Sequence, residues 1–440
     1  MTYRNDDVVA GATYVALGDD AIERNSCVYG DAGAQARRAD TPCFIMLSLL
    51  SLVLAMPLSL IGPFFPGEAV RRGATLSAAG WILSMFPLTV LVFAPICGRV
   101  VPRIGPKIVI IVGGCTLGAC TISFAFIDSL SGNSFIVVAA IIRILQGAAS
   151  AASSTGSSAL MAAVYPEDLG KISGTLEVCG CAGYMLGPFL GGLLFEYGGY
   201  RMPFFVVGNV TLITMLVLNM AIPKRKAAAL APSSVTVLNV LKAPGVLMLI
   251  AASVTSMSIF SFLDLSLQPT LAAHHLSTSS IGLVFVMISA VYAIASPIVG
   301  HAVTPSNAHS CITGGMIVSC GALAALGAQL IWIRILSLAV LSAGCAVVVV
   351  PVPPQMLSLT KHLGAGATDV MSGVLVASYS LGETIGPLIG GALMDWAGMR
   401  GAAPVLAVAV GIVAIAFSTF RLDKYLRDPL LDSSSTITLK

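Results

Sequence analysis

Charged residues are scarce in this chain. Only 10% of its 440 residues are Asp, Glu, Lys or Arg, whereas 57% belong to the apolar set AVILMFWYC. A soluble domain carries about a quarter charged residues, because its surface must face water. This composition excludes a soluble globular protein, and the mean hydropathy of +0.94 predicts that lipid covers most of the surface.

The sequence also lacks the motifs of common enzyme classes. No phosphate-binding loop follows a strand, and the His-Glu-x-x-His and Gly-x-Ser-x-Gly patterns are absent. The ten cysteines are scattered without a zinc or disulfide spacing. The basic run at 224–226 is juxtamembrane and needs only anionic lipid as its partner. We therefore expect no enzyme, no catalytic or metal site, no cofactor and no nucleic-acid partner, and we expect a monomer.

Apolar runs long enough to cross a bilayer recur along the chain after a polar start. A crossing helix needs about 20 apolar residues. The longest polar break lies between the sixth and seventh runs. The twelve runs lie at about 43–65, 78–98, 106–127, 135–161, 172–195, 203–222, 245–268, 280–301, 309–330, 332–352, 370–393 and 402–420.

These runs predict an all-α membrane protein with twelve transmembrane helices in two pseudo-symmetric six-helix bundles. The predicted segments are an N-terminal tail (1–42), an N-terminal bundle (43–222), a linker (223–244), a C-terminal bundle (245–420) and a C-terminal tail (421–440). We expect both tails and the linker to be cytoplasmic.

The distribution of Lys and Arg predicts that orientation. Alternating twelve spans from a cytoplasmic N-terminus places fourteen basic residues on the cytoplasmic side and five opposite, as the positive-inside rule requires. The fourteen are Arg37, Arg38, Arg99, Arg103, Lys107, Lys171, Lys224, Arg225, Lys226, Lys242, Lys361, Arg421, Lys424 and Arg427, and the five are Arg71, Arg72, Arg201, Arg334 and Arg400.

The two halves carry an internal repeat. The fifth span repeats in the eleventh at an offset of 199, since Gly187-Pro188 corresponds to Gly386-Pro387 (386 − 187). The second span repeats in the eighth at an offset of 202, since Gly80 corresponds to Gly282 (282 − 80). Parallel six-span repeats are typical of transporters in which one half rocks against the other around a central cavity.

The repeated Gly187-Pro188 and Gly386-Pro387 segments have two compatible interpretations. Glycines at this spacing let helices pack closely, as small residues do in lipid. They also supply a bend and a flat face for movement between two conformations. On the second interpretation we assign Gly187, Pro188, Gly386 and Pro387 to gating.

Three segments resemble motifs of the major facilitator superfamily. They are the basic loop Gly98 to Lys107, the fourth-span segment Arg143-Ile-Leu-Gln146-Gly147 and the fifth-span segment Gly183 to Gly192, which resembles the antiporter motif of proton-driven exchangers. The loop has Pro102 where the family pattern usually has an acid before its second Arg.

Within that superfamily the chain resembles the vesicular amine transporter family and its vesicular polyamine transporter branch. The segments Ile61-Gly-Pro-Phe-Phe-Pro66, Gly174-Thr-Leu-Glu177 and Phe262-Leu-Asp264 carry this resemblance. Monoamine members have an acid in the first span, whereas residues 43–65 contain none, which favours the polyamine branch.

The resemblance implies antiport of protons against an organic cation such as a polyamine, in an intracellular vesicle membrane and driven by a proton gradient. Two alternatives stay open. One is proton-driven export of other cationic or drug-like compounds at the plasma membrane. The other is a membrane receptor or scaffold that transports nothing.

Ionisable residues inside the membrane are costly and mark candidate functional sites. Glu383 lies near the middle of the eleventh span, and Arg143 lies at comparable depth in the fourth. We predict that Glu383 binds protons or substrate, either alone or paired with Arg143, and that Gln146 orients the guanidinium of Arg143. A structural hydrogen bond is the alternative role for Glu383.

The remaining acids are expected closer to the membrane surfaces. Asp264 falls late in the seventh span, so we expect it near the lumenal or extracellular mouth, as an entry site for cations or as a capping residue. Glu177 lies near the cytoplasmic start of the fifth span, where we predict a gating pair with Arg103 or Lys171, with direct substrate contact as the alternative.

Overall fold

A computed structural model describes residues 43–165, 169–221, 236–364 and 367–420, and all regular secondary structure in these ranges is helical. The two predicted tails and most of the predicted linker lie outside the described residues. The orientation and the segment boundaries predicted from charge and hydropathy therefore remain predictions.

Fourteen helices follow one another in the described part of the chain. Short 3-10 turns lie at Ala125–Ser129 and Lys361–Leu363. The helices are α1 (Cys43–Ser59), α2 (Phe65–Arg71), α3 (Leu76–Ile104), α4 (Pro106–Phe124), α5 (Gly132–Val164), α6 (Leu169–Gly198), α7 (Arg201–Ala221), α8 (Val237–Lys242), α9 (Val246–Ala272), α10 (Thr278–Ala302), α11 (Ala308–Leu326), α12 (Ile331–Val349), α13 (Val352–Thr360) and α14 (Ala367–Thr419).

The predicted twelve-helix membrane fold is confirmed. Among the described residues, 10 helices are long and apolar enough to cross a membrane. One of them, Val370–Thr419, has 50 residues and about 75 Å of rise, which is more than twice the thickness of a bilayer core. It therefore supplies two crossings. The shorter apolar helix α1 supplies the remaining one.

Equivalent residues in the two halves begin and end the helices. Thr75 caps the start of α3 by accepting a hydrogen bond from the backbone N–H of Ala78, and Ser277 caps α10 in the same way. Gly199, between α6 and α7, has φ 69°, and Gly398, where α14 bends, has φ 57°. Glycine adopts this left-handed conformation without steric cost, so each position separates two crossing helices.

The side chains follow a membrane pattern. Many large apolar residues are exposed, which suits a surface in contact with lipid, and Trp332 and Trp396 are among the most exposed. Inside the N-terminal half, Phe64 stacks on Phe195 with ring centroids 4.8 Å apart. Phe64 also meets Phe204 edge-on, and such pairs stabilise the core beyond the area that they bury.

The two halves meet closely where α3 and α10 begin, and we term this the closed end. An added Cβ at Gly192 of α6 would lie 2.6 Å from the carbonyl oxygen of Thr278, and one at Gly391 of α14 would lie 2.7 Å from that of Leu76. Towards the other ends of α3 and α10, a Cβ at Gly98 would have no neighbour within 4 Å and one at Gly300 would meet only a Val350 methyl at 3.9 Å. The halves are therefore in close backbone contact at the closed end, and Gly98 and Gly300 make no such contact at the other ends of their helices.

Candidate functional site

A narrow cavity lies between the two halves and is lined by charged residues from both. Its charged lining residues are Arg143 from α5, Asp264 from α9 and Glu383 from α14, and Tyr184 of α6 completes the polar group. The rest of the lining is Leu58, Ser59, Ile61, Gly62, Leu83, Pro87, Ser261 and Pro387.

Arg143 is held firmly by the N-terminal half. Its side chain is 1% exposed, and Nη1 donates hydrogen bonds to the carbonyl oxygen of Pro57 at 3.3 Å and to Oε1 of Gln146 at 3.2 Å. Nη2 donates to the carbonyl oxygen of Leu58 at 3.4 Å, and the guanidinium lies 5.0 Å from the centre of the Phe86 ring. These contacts fix a positive charge at the cavity wall, because arginine does not lose its proton in proteins.

Gln146 contacts Arg143 and does not line the cavity. Its Nε2 donates a hydrogen bond to Oγ1 of Thr121 at 3.0 Å, which leaves Oε1 turned toward the guanidinium. The geometry suits the predicted orienting role.

Asp264 lies inside the cavity, which corrects the expectation that it occupies the mouth. α9 continues to Ala272, eight residues beyond Asp264, so that the carboxylate lies about two turns inside the helix. The hydroxyl of Tyr184 donates a hydrogen bond to Oδ2 of Asp264 at 2.7 Å. Arg143 interacts electrostatically with both groups.

The carboxylate of Glu383 has neither a hydrogen bond nor an ion pair with any residue that the structure describes. Arg143 lines the same cavity but does not come within ion-pair distance of it. Glu383 and Asp264 interact electrostatically as like charges. The positive charge of Arg143 is therefore partly balanced by Asp264. The carboxyl group of Glu383 has no partner among the described residues and can bind a ligand.

Two serines tie the cavity helices together in the same way in both halves. The hydroxyl of Ser59 donates to the carbonyl oxygen of Tyr184 at 2.8 Å, and that of Ser261 donates to the carbonyl oxygen of Glu383 at 2.7 Å. These pairs obey the repeat offsets, since 261 − 59 = 202 and 383 − 184 = 199. Each serine holds the helix that carries the polar cavity residue.

Tyr184 is the cavity residue that sequence reasoning missed. It lies within the segment Gly183 to Gly192 and is the repeat equivalent of Glu383, so the offset of 199 identifies it, although a neutral side chain gives no charge signal. Gly62 is likewise the equivalent of Asp264, since 264 − 62 = 202. The N-terminal half therefore has tyrosine and glycine where the C-terminal half has two acids.

The residues predicted for a cytoplasmic gate make fewer contacts than the cavity residues do. Arg103 and Glu177 are both exposed, and no ion pair joins them within the described part of the chain. The side chain of Lys171, the other predicted partner, lies outside the described residues. Glu177 interacts electrostatically with Tyr292 and Tyr379. A gating role for Arg103 and Glu177 stays a prediction.

The repeated Gly-Pro segments make two kinds of contact. An added Cβ at Gly187 would lie 2.9 Å from the carbonyl oxygen of Met56, and one at Gly386 would lie 2.9 Å from the backbone nitrogen of Phe262, so both glycines pack within their own half. The carbonyl oxygens of Pro188 and Pro387 instead face glycines of the opposite half. The close-packing interpretation fits the glycines, and the prolines lie where the halves meet.

The charge balance of the cavity is uneven. Among the described residues, two carboxyl groups share the cavity with one guanidinium, so one negative charge has no counterpart there when both acids are ionised. An unpaired charge in a low-dielectric interior is unfavourable unless it is neutralised. Either a proton or a cation entering the cavity restores the balance.

Comparison with known proteins gives the family of the chain. The model for the Major Facilitator Superfamily matches residues 47–369 and 265–436. The rat protein MFS-type transporter SLC18B1 (Rattus norvegicus) is 30% identical, over 89% of this chain and 90% of that protein. The human synaptic vesicular amine transporter (Homo sapiens) is 26% identical, over 77% of this chain and 64% of that protein.

Solved structures show the same fold. A bacterial homolog of the human lysosomal transporter Spinster, in an inward-facing and unoccupied conformation, superposes with a TM-score of 0.70 at 13% identity, over 90% of this chain and 98% of that one. The family assignment is supported by the twelve-helix architecture, by the paired halves and by the matches in sequence. The chain is a multi-pass membrane transporter, not an enzyme, and it belongs to the Major Facilitator Superfamily as a homologue of SLC18B1 and the vesicular amine transporters.

Proposed function

We propose that this chain exchanges protons for an organic cation by alternating access, with the cavity around Asp264 and Glu383 as the common binding site. The observation that carries the proposal is the presence of two carboxyl groups with a single guanidinium in one cavity between the halves. The unbalanced negative charge can be neutralised either by a proton or by one ammonium group of the substrate. Proton and substrate then compete, which is what exchange requires.

The contacts of the two acids suggest different roles. Asp264 already has the hydroxyl of Tyr184 and the electrostatic influence of Arg143, so its charge is partly satisfied. Glu383 has no such partner in the described chain and is the better site for an ammonium group or a proton. Ser261 holds the backbone of Glu383 and keeps the carboxyl directed into the cavity.

An amine is the substrate class that we propose, and a polyamine in particular. Related proteins include transporters named for vesicular amines. The absence of an acid between residues 43 and 65 separates this chain from the monoamine pattern and favours the polyamine branch. We further propose that the protein resides in a vesicle membrane with both termini in the cytoplasm and uses the proton gradient of the vesicle as its driving force.

Uptake into proteoliposomes tests this function. The purified protein is reconstituted, an acidic interior is imposed, and accumulation of radiolabelled spermidine is followed with and without an uncoupler. We expect accumulation that needs the gradient and collapses with the uncoupler. Glu383→Gln should reduce it about thirtyfold or more, since losing one partner of a buried charge pair costs about 2 kcal/mol or more.

Asp128→Asn is the matched control, because Asp128 pairs with Arg201 on the surface of one half, away from the cavity. It should keep the wild-type rate. Uptake of aromatic or drug-like cations without competition from polyamines would favour the exporter alternative. Absence of transport for every amine of a panel, with no difference between wild type and Glu383→Gln, would favour a receptor or scaffold and contradict the proposal.

A further inference from the structure

Two acidic residues at the closed end reach from one half of the protein to the other. Asp395 of α14 accepts hydrogen bonds at the first turn of α3, from the backbone N–H of Leu76 at 3.0 Å and from that of Ser77 at 2.7 Å. The hydroxyl of Ser77 donates a further bond to Asp395 at 2.5 Å. This carboxylate is bound entirely by the opposite half.

Glu196 of α6 makes the corresponding contact on the other side. Its Oε2 accepts a hydrogen bond from the backbone N–H of Ser279, in the first turn of α10, at 3.0 Å. The arrangement follows both repeat offsets, since 395 − 196 = 199 and 279 − 77 = 202. The closed end therefore carries one carboxylate contact on each side of the interface, related by the pseudo-symmetry of the fold.

Each acid accepts hydrogen bonds from backbone N–H groups that have no acceptor within their own helix. The first N–H groups of a helix have no partner within it, and the helix dipole favours negative charge at that end. A carboxylate that accepts such bonds stabilises the helix about as much as a capping residue does. Because acid and helix belong to different halves, these bonds exist only while the closed end stays closed.

We infer that Asp395 and Glu196 are paired latches that set the stability of the closed end in the transport cycle. They are positioning residues, because neither lines the cavity. Opening this end must break both sets of bonds together, since the halves move as bodies. The inference rests on the proposed alternating access, but its test reads conformation and not transport, so the two can fail separately.

Hydrogen exchange of the purified full-length protein tests the latches. In Asp395→Ala, we expect the exchange rate to rise about fivefold over the start of α3, the usual worth of a lost helix cap. The decisive peptide is the start of α10, around Ser279, which Asp395 does not touch. A shared opening motion should raise exchange there by a similar factor, and Glu196→Ala should do the same at Ser77.

Asp128→Ala is the matched control, because this acid pairs with Arg201 within the N-terminal half and near the same end. It should leave exchange around Ser279 unchanged. Peptides of α11 and the thermal unfolding midpoint report any general loss of stability in the same samples. If Asp395→Ala raises exchange at α3 alone, or if α11 rises equally, the acids are ordinary local caps and the inference is wrong.

Discussion

In the proposed exchange, Glu383 is the side chain at which protons and substrate compete. It is directed into the cavity, its backbone is held by Ser261, and its carboxyl group has no hydrogen-bond or ion-pair partner in the described residues. A structural acid at this depth would be expected to have such a partner, because an unsatisfied buried carboxyl group is costly. Glu383 is therefore better explained as a binding group than as a structural hydrogen-bonding residue.

Tyr184 provides a sharper test at the residue scale. Tyr184→Phe removes the hydroxyl that donates to Asp264 and keeps the ring that fills the space. A hydrogen bond to a charged group contributes about 1.5 kcal/mol or more, so spermidine binding should weaken about tenfold. Equilibrium binding to the detergent-solubilised protein measures this change.

Tyr200→Phe is the matched control for that substitution. The hydroxyl of Tyr200 is buried and has no hydrogen-bond partner among the described residues, and the residue lies in the aromatic core away from the cavity. Its loss should leave binding unchanged. Equal losses in both variants would show that Asp264 does not depend on Tyr184.

Sequence reasoning reached part of this site. Arg143 and Glu383 were predicted to share a central cavity because charge deep in a membrane span is rare, and both line it. Asp264 was misplaced because the end of α9 was drawn four residues early, at 268 instead of 272. Tyr184 was missed because a neutral residue gives no charge signal and a tyrosine does not resemble its repeat partner, a glutamate.

At the scale of helices, close backbone contact defines the closed end. The ideal Cβ position of Gly80 in α3 overlaps the carbonyl oxygen of Pro387 in α14, and that of Gly282 in α10 lies 2.9 Å from the carbonyl oxygen of Pro188. The second pair is the repeat of the first, since 282 − 80 = 202 and 387 − 188 = 199. These contacts cannot accommodate even one methyl group without movement.

Gly80→Ala should therefore open the closed end. Overpacking costs about 1–3 kcal/mol, which shifts a two-state equilibrium about tenfold. The measurement is the distance distribution between spin labels at Ser131 and His275, exposed positions of the two halves near this end, with accessible native cysteines replaced by serine. We expect a new population at longer distance.

The control lies on the same helix. Gly98→Ala adds the same methyl group near the other end of α3, where nothing lies within 4 Å of the added Cβ. It should leave the distribution unchanged. An unchanged distribution in Gly80→Ala as well would mean that the glycine contact does not hold the end closed.

Helices were easier to predict than their contacts. Hydropathy located every described span, and the breaks fall at Gly199 and Gly398, which the repeat offset of 199 relates to each other. The latch residues Glu196 and Asp395 were not singled out, because their side chains differ and both lie at span ends where charge is common. The backbone groups that a surface acid contacts depend on how the two halves pack against each other. Hydropathy gives no information on this packing.

For the whole molecule, the repeat shows which features the two halves share and which differ between them. Equivalent glycines, serines and acids hold the two halves together and tie their helices, so the scaffold is nearly symmetric. The cavity breaks that symmetry, because Asp264 and Glu383 both come from the C-terminal half and Arg143 comes from the other.

In the proposed exchange, a proton and an organic cation compete for one unbalanced charge in this cavity. Spermidine binding to the purified protein, in a weakly buffered detergent solution that contains a pH indicator, tests this competition. Competition predicts proton release on binding and an affinity that falls as the pH falls through the titration of the carboxyl groups, because a protonated acid no longer attracts the cation. Glu383→Gln should lose the proton release. Spermidine binding that releases no protons and has the same affinity at every pH would contradict the account.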